Sequence, residues 1–180
     1  INSLIKPIVP HLVAVAIFLV ISIIYFYPVL EGKVLHTNDG TVAQNSAKEI
    51  SDFRTKYGEE PLWTNSMFSG MPAYLISAKF TGNLLRYADT LLKFLKLPAA
   101  SVFLTMLGFY IVLLFFKVDT RLAIAGAIAY GFSTYFFFIL AAGHNTKAFA
   151  IAYMAPMIGG IYYAYRNNAI KGALITTFFL

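Results

Sequence analysis

Residues 12–30 read LVAVAIFLVISIIYFYPVL, nineteen positions without a charged side chain. How that run is read decides the fold. A helix needs about 20 mostly apolar residues to cross the hydrocarbon core of a bilayer. The run is too long for the apolar part of a secretory leader, which covers roughly 7–15 residues, and no small-residue cleavage pattern follows it. Comparable runs recur at Ala99–Phe116, at Leu122–Leu140 and at Ala148–Tyr165, and another starts at Gly172 and reaches Leu180. Pro156 inside the fourth run is expected to kink it. The sequence therefore predicts an all-α, polytopic transmembrane helical protein. Its spans are expected at about 12–30, 99–116, 122–140, 148–165 and 172–180. Because the chain opens on Ile1 rather than Met and closes within an apolar run, residues 1–180 read as a fragment, the N-terminal part of one larger membrane domain.

Composition agrees. The chain is 59% hydrophobic and 12% charged, where soluble domains carry about 25% charged residues. Mean hydropathy is +0.70. Seventeen Phe and twelve Tyr suit a lipid-facing surface with aromatic belts at its interfaces. The net charge of +6 does not make a nucleic-acid site, because the basic residues are scattered and form no stripe interleaved with stacking aromatics. Cysteine is absent, which removes disulfides and thiolate metal sites.

Lys and Arg in short loops set orientation. With the N-terminus in the cytoplasm, Lys6, Lys117, Arg121, Arg166 and Lys171 lie inside, and only Lys147 lies in a short outer loop. The long connection 31–98 is then extracytoplasmic. Within it, Ser46–Glu49 (SAKE) has the form of a capping box. Ala47, Ile50, Phe53 and Tyr57 follow at helical spacing, and Gly58 supplies a stop. A helix is expected over 46–57. A second amphipathic helix is expected with Leu84, Leu85, Ala88, Leu91, Leu92 and Leu95 on one face and Arg86, Asp89, Lys93 and Lys96 on the other, ended by Pro98. Its pattern suits a helix lying at the membrane interface or packed on another domain. Between the two lies LWTNSMFSGMPAY, residues 62–74, with the one Trp of the chain.

Few residues offer chemistry. Asp39, in HTNDG, is either a turn former or a general base at the membrane surface. His36, three residues earlier, reads as an exposed loop residue; the alternative is that it assists Asp39 or ligates a metal. In AAGHNTKAF (141–149), Gly143 ends one helix and Asn145 or Thr146 can cap the next. That helix start, with its dipole and Lys147, suits an anion; the alternative is a plain cap with Lys147 reaching lipid head groups. Glu59 and Glu60 are adjacent loop residues whose side chains are expected to diverge. Trp63 can stack on a sugar or anchor the loop in the interface. No phosphate-binding glycine loop, metalloprotease helix motif or nucleophile elbow is present. The predicted spans two to four carry no central charge, which argues against a proton-coupled transporter.

PVLEGK (28–33), the Asp that follows it, GEEPLWTNSMFSGMPAY (58–74) and AGHNTKAFAIAYMAP (142–156) together resemble, in this order, the YfhO family of bacterial membrane proteins, related to the GT-C glycosyltransferases. The resemblance covers most of the chain. It implies a multispan protein of the bacterial cytoplasmic membrane, with juxtamembrane helices and an acidic catalytic residue in its first outer loop. It also implies transfer of a sugar from a polyprenyl-phosphate donor to a cell-envelope acceptor, polymer or lipid. Under it, Asp39 becomes the catalytic base. His144, Asn145 and Lys147 become donor-phosphate residues, and Trp63 and Asn65, with Gly70, Met71 and Pro72, become structural or sugar-facing parts of the loop. Many GT-C enzymes carry two adjacent acidic residues near this site, whereas Gly40 follows Asp39 here, so neither metal nor cofactor is expected. A transporter or flippase for a lipid-linked sugar, or a non-catalytic membrane subunit of an envelope complex, are the alternatives. The sequence names no protein partner.

Overall fold

The computed structural model describes residues 8–77, 79, 82, 83 and 85–180. The chain is mostly helical and divides into two compact units, residues 1–35 with 87–180, and residues 36–86. In chain order the helices are α1 Val9–Tyr25, α2 Tyr27–Leu30, α3 Asn38–Tyr57, α4 Leu85–Leu92, α5 Ala99–Phe115, α6 Thr120–Gly131, α7 Thr134–Ala142, α8 Asn145–Arg166 and α9 Ala169–Phe179. Between α3 and α4 lie two short strands, β1 Trp63–Thr64 and β2 Met71–Pro72, and a 3₁₀ turn at Ala73–Leu75.

The first unit is built around α5. Its residues Ala99 to Met106 are all buried, as expected of a helix that is apolar all round. Helix α1 lays Ala14 and Phe18 against it, with Phe18 edge-on to Tyr110 at 5.6 Å between ring centres. Helices α6 and α8 also pack on α5, and α9 packs on α8. The α5–α8 contact is close because Gly108 has no side chain; a methyl group there would run into the Ala152 carbonyl oxygen.

Two expected spans are broken. The first helix ends at Tyr25, and Pro28 explains why: it has no N–H to give and its ring would clash with the carbonyl four residues earlier. The third run is two helices, α6 and α7, bent by about 40°. Gly131, Ser133 and Thr134 at the junction are weak helix formers, and Ser133 is extended there, at φ −65° and ψ 143°. Among the described residues no single helix is long and apolar enough to cross a membrane; α6 and α7 reach that length and composition only together. Helix α8 has 22 residues and runs through Pro156, but its tyrosines and glycines dilute its apolar content.

The second unit corrects the predicted helix 46–57. Helix α3 starts at Asn38, with Thr37 as its cap: the Thr37 hydroxyl oxygen accepts from the Gly40 amide at 3.2 Å. Ser46 caps nothing, since its hydroxyl donates to the Val42 carbonyl inside the helix at 2.8 Å. Gly58 stops α3 in the left-handed region at φ 71°, as expected. The strands pair antiparallel, Trp63 with Pro72 and Thr64 with Met71. Arg54 holds the segment that follows, donating to Glu60 at 2.7 Å and to the Ser77 hydroxyl at 2.9 Å. The predicted second amphipathic helix is α4, shorter than expected. Leu84 and the side chains of Leu85, Arg86, Ala88 and Leu92 lie outside the described residues.

Candidate functional site

The residues singled out by sequence fall in two places, one in each unit. In residues 36–86, Asp39 stands in the first turn of α3, so it belongs to a helix and not to the loop read from HTNDG. An acid there complements the positive end of the helix dipole. The α3 position that meets the hairpin is Glu49, ten residues and about 15 Å further along the helix axis. Glu49 accepts from the Thr64 hydroxyl at 2.5 Å and from the Asn65 amide at 2.8 Å. Ser66 donates to the Ser46 carbonyl at 2.8 Å. The same segment thus gathers Trp63, Asn65, Gly70, Met71 and Pro72, and leaves Asp39 several turns away. The Trp63 ring lies over Gly70: a Cβ built on Gly70 would be 2.6 Å from the indole nitrogen.

The two donors hold the Glu49 carboxyl below its ordinary value, the Thr64 hydroxyl most and the Asn65 amide next. Sequence reading had assigned Glu49 to a capping box. The signal that could have placed it was the unusual run of Thr64, Asn65 and Ser66 after an apolar residue, three donors in need of an acceptor.

In the other unit the α7–α8 turn holds His144, Asn145 and Lys147. Gly143 ends α7 at φ 97°. His144 occupies the cap position of α8 without a side-chain cap bond, and Asn145 is the first helical residue; neither Asn145 nor Thr146 caps the helix. The Asn145 amide donates to the Gly143 carbonyl at 2.8 Å. The Lys147 ammonium lies 5.4 Å from the centre of the Tyr135 ring.

One turn further along α8 is a cleft of about 440 Å³, within the size range of small-molecule sites. Phe149, Met154 and Met157 give it apolar walls, and Lys93, Thr146 and Tyr153 line it with polar groups. Lys147 does not line it. The cation there is Lys93, just past the end of α4. Its ammonium contacts both Asp89 carboxylate oxygens at 2.7 Å and lies 4.2 Å from the centre of the Phe149 ring. Tyr153 donates to Asp89 at 2.8 Å.

Asp89 and Lys93 are therefore half-buried partners in a network, not a solvated helix face. Sequence reasoning missed this because it placed them on the polar side of an amphipathic helix. The available signal was the i, i+4 acid–base pair in a chain that otherwise spends few charges, and the spacing of Thr146, Phe149 and Tyr153 on one helical face. Among the described residues no three His, Asp or Glu side chains gather as metal ligands. Comparison with known proteins adds no relative: no family model, no curated protein and no solved structure matches the chain.

Proposed function

We propose that this protein is a membrane glycosyltransferase, moving a sugar from a polyprenyl-phosphate donor to a cell-envelope acceptor at the extracytoplasmic side of a bacterial cytoplasmic membrane. The observation that carries the reading is the amphipathic cleft. A prenyl chain fits walls of Phe149, Met154 and Met157, and a phosphate fits the ammonium of Lys93 and the hydroxyl of Thr146, beside the positive end of α8. The loop resemblance is independent support for the same substrate class.

Membrane placement rests on exposed apolar surface and on charge. Leu12, Val20 and Ile24 on α1, Leu122 on α6, Phe138 on α7 and Leu174 on α9 all face outward, a surface that lipid would cover. Helices α1 and α5 have 17 residues each, the short end of the range of about 17–25 for a span. The α6–α7 pair would then cross as a broken span. The basic residues of the short loops favour a cytoplasmic N-terminus.

In the proposed reaction Asp39 takes the proton of an acceptor hydroxyl. The freed oxygen forms a bond to the anomeric carbon, and the bond from that carbon to the phosphate oxygen breaks. Polyprenyl phosphate leaves. General base catalysis contributes about 10²–10⁴-fold, so Asp39→Asn lowers sugar transfer by about that factor at unchanged abundance. Radiolabelled donor supplied to membranes holding the full chain measures it. Equal transfer by both proteins would remove Asp39 from the chemistry.

A non-catalytic role in an envelope complex is the second reading. Its support is the position of Asp39, which a first-turn helix acid explains without chemistry. Tolerance of Asp39→Asn together with stoichiometric co-purification of a partner would decide for it.

A further inference from the structure

We infer that the β1–β2 hairpin of the second unit is a bilayer-interface anchor whose inserting residues are Phe68 and Trp63. The inference rests on the membrane reading above but not on sugar transfer.

Residues 61–78 contain no charged side chain, although the helix before them is rich in charge. In this stretch Leu62 and Phe68 are more than 80% exposed, and Trp63, Tyr74 and Leu75 are more than half exposed. Five large apolar side chains on so short a polar-backbone segment are costly in water, at about 25 cal/mol per Å² of apolar surface. The set is also of a particular kind. Trp and Tyr pair an apolar ring with one polar atom, which places them at the boundary between head groups and acyl chains.

The tip is held in a form that presents Phe68. Both Phe68 and Ser69 have positive φ, 52° and 59°. This region is uncommon for any non-glycine residue and an outlier for a bulky one. Such backbones persist only where their surroundings fix them. Here the hairpin is fixed from behind. Thr64 is buried and bonded to Glu49, Ser66 is bonded to the α3 backbone, and Gly70 sits under the Trp63 ring. A strained aromatic on a rigid mount is arranged for contact, and not for burial in its own fold.

Chain connectivity also favours a bilayer over other occupants. In the chain the unit follows the apolar helix α1. With α1 in lipid, as the membrane reading has it, the chain enters the unit from the bilayer.

Trp63 is the one Trp of the chain, so its fluorescence reports the hairpin without labelling. The chain is reconstituted into phosphatidylcholine–phosphatidylglycerol vesicles, with and without brominated acyl chains. The expected result is blue-shifted Trp63 emission, quenched by the lipid bromines and shielded from aqueous iodide. Phe68→Asp should restore iodide access while the chain still floats with the vesicles. Should Phe68→Asp disturb the hairpin itself, the double variant Trp63→Phe, Phe68→Trp moves the reporter to the tip, where lipid quenching is again expected. A chain that floats but whose Trp63 is open to iodide and untouched by bromine overturns the anchor and leaves the membrane reading standing. The same holds if Trp63 is shielded only after a glycan or protein is added. A chain that does not float overturns both readings.

Discussion

Glu49 shows how a single exposed side chain organises the second unit. Its carboxylate accepts two bonds from the hairpin, and these lower its folded pKa below the ordinary value of 4.5. A carboxyl with a depressed folded pKa stabilises the folded form above its unfolded value, and that stabilisation is lost as pH falls through the lowered one. Trp63 emission should therefore change in acid, below the ordinary glutamate range, and not between pH 6 and pH 8. Glu49→Gln should abolish this acid transition, because the amide keeps the shape but not the titration; an unchanged transition would assign it to another group. Lys93 is the corresponding residue in the cleft. Hydrogen bonds to a charged group contribute about 1.5–3 kcal/mol, so Lys93→Gln should raise the donor KM about 10- to 100-fold. Lys93→Arg, which keeps the charge, should restore most of it. An unaltered KM in Lys93→Gln would move the donor phosphate elsewhere, Lys147 being the next cation to test.

At the scale of elements, small residues set how closely the helices approach. Gly108 on α5 faces the Ala152 carbonyl of α8. The obstacle to a larger side chain is backbone, which cannot turn away. Gly108→Ala should force α5 and α8 apart and destabilise the first unit by about 1–3 kcal/mol, as overpacking does. A thermal melt in detergent measures it, and no loss of stability would mean the helices can separate freely. The broken helices have equally local causes. Pro28 ends α1 through the missing N–H, and the Gly–Phe–Ser–Thr junction lets the third run bend. Helix α8 continues through Pro156 because neighbouring contacts hold it; the proline is fully buried against α5.

For the whole molecule, the division into two units predicts that damage stays local. Ile50 is 1% exposed and is the buried residue of α3. Ile50→Ala should cost about 2–5 kcal/mol, felt within residues 36–86. Limited proteolysis should then cut that segment while α5 to α9 stay protected. Simultaneous loss of both would show that the units fold as one.

The sequence by itself determined the helical class, the placing of helices at 99–116 and 148–165 to within a few residues, and the stop at Gly58. These are local matters of apolar run length and of one residue's φ, and they need no partner. It misplaced the start of α3, because SAKE and Thr37 are both valid caps and the exposed turns between them carry no apolar period to choose by. It missed Glu49, Asp89, Lys93 and Tyr153 as members of networks. Their partners lie 4 to 64 positions away. Nothing local tells a carboxylate facing water from one that has met a threonine or a tyrosine. Tertiary structure decided that, by bringing the donors within hydrogen-bond reach.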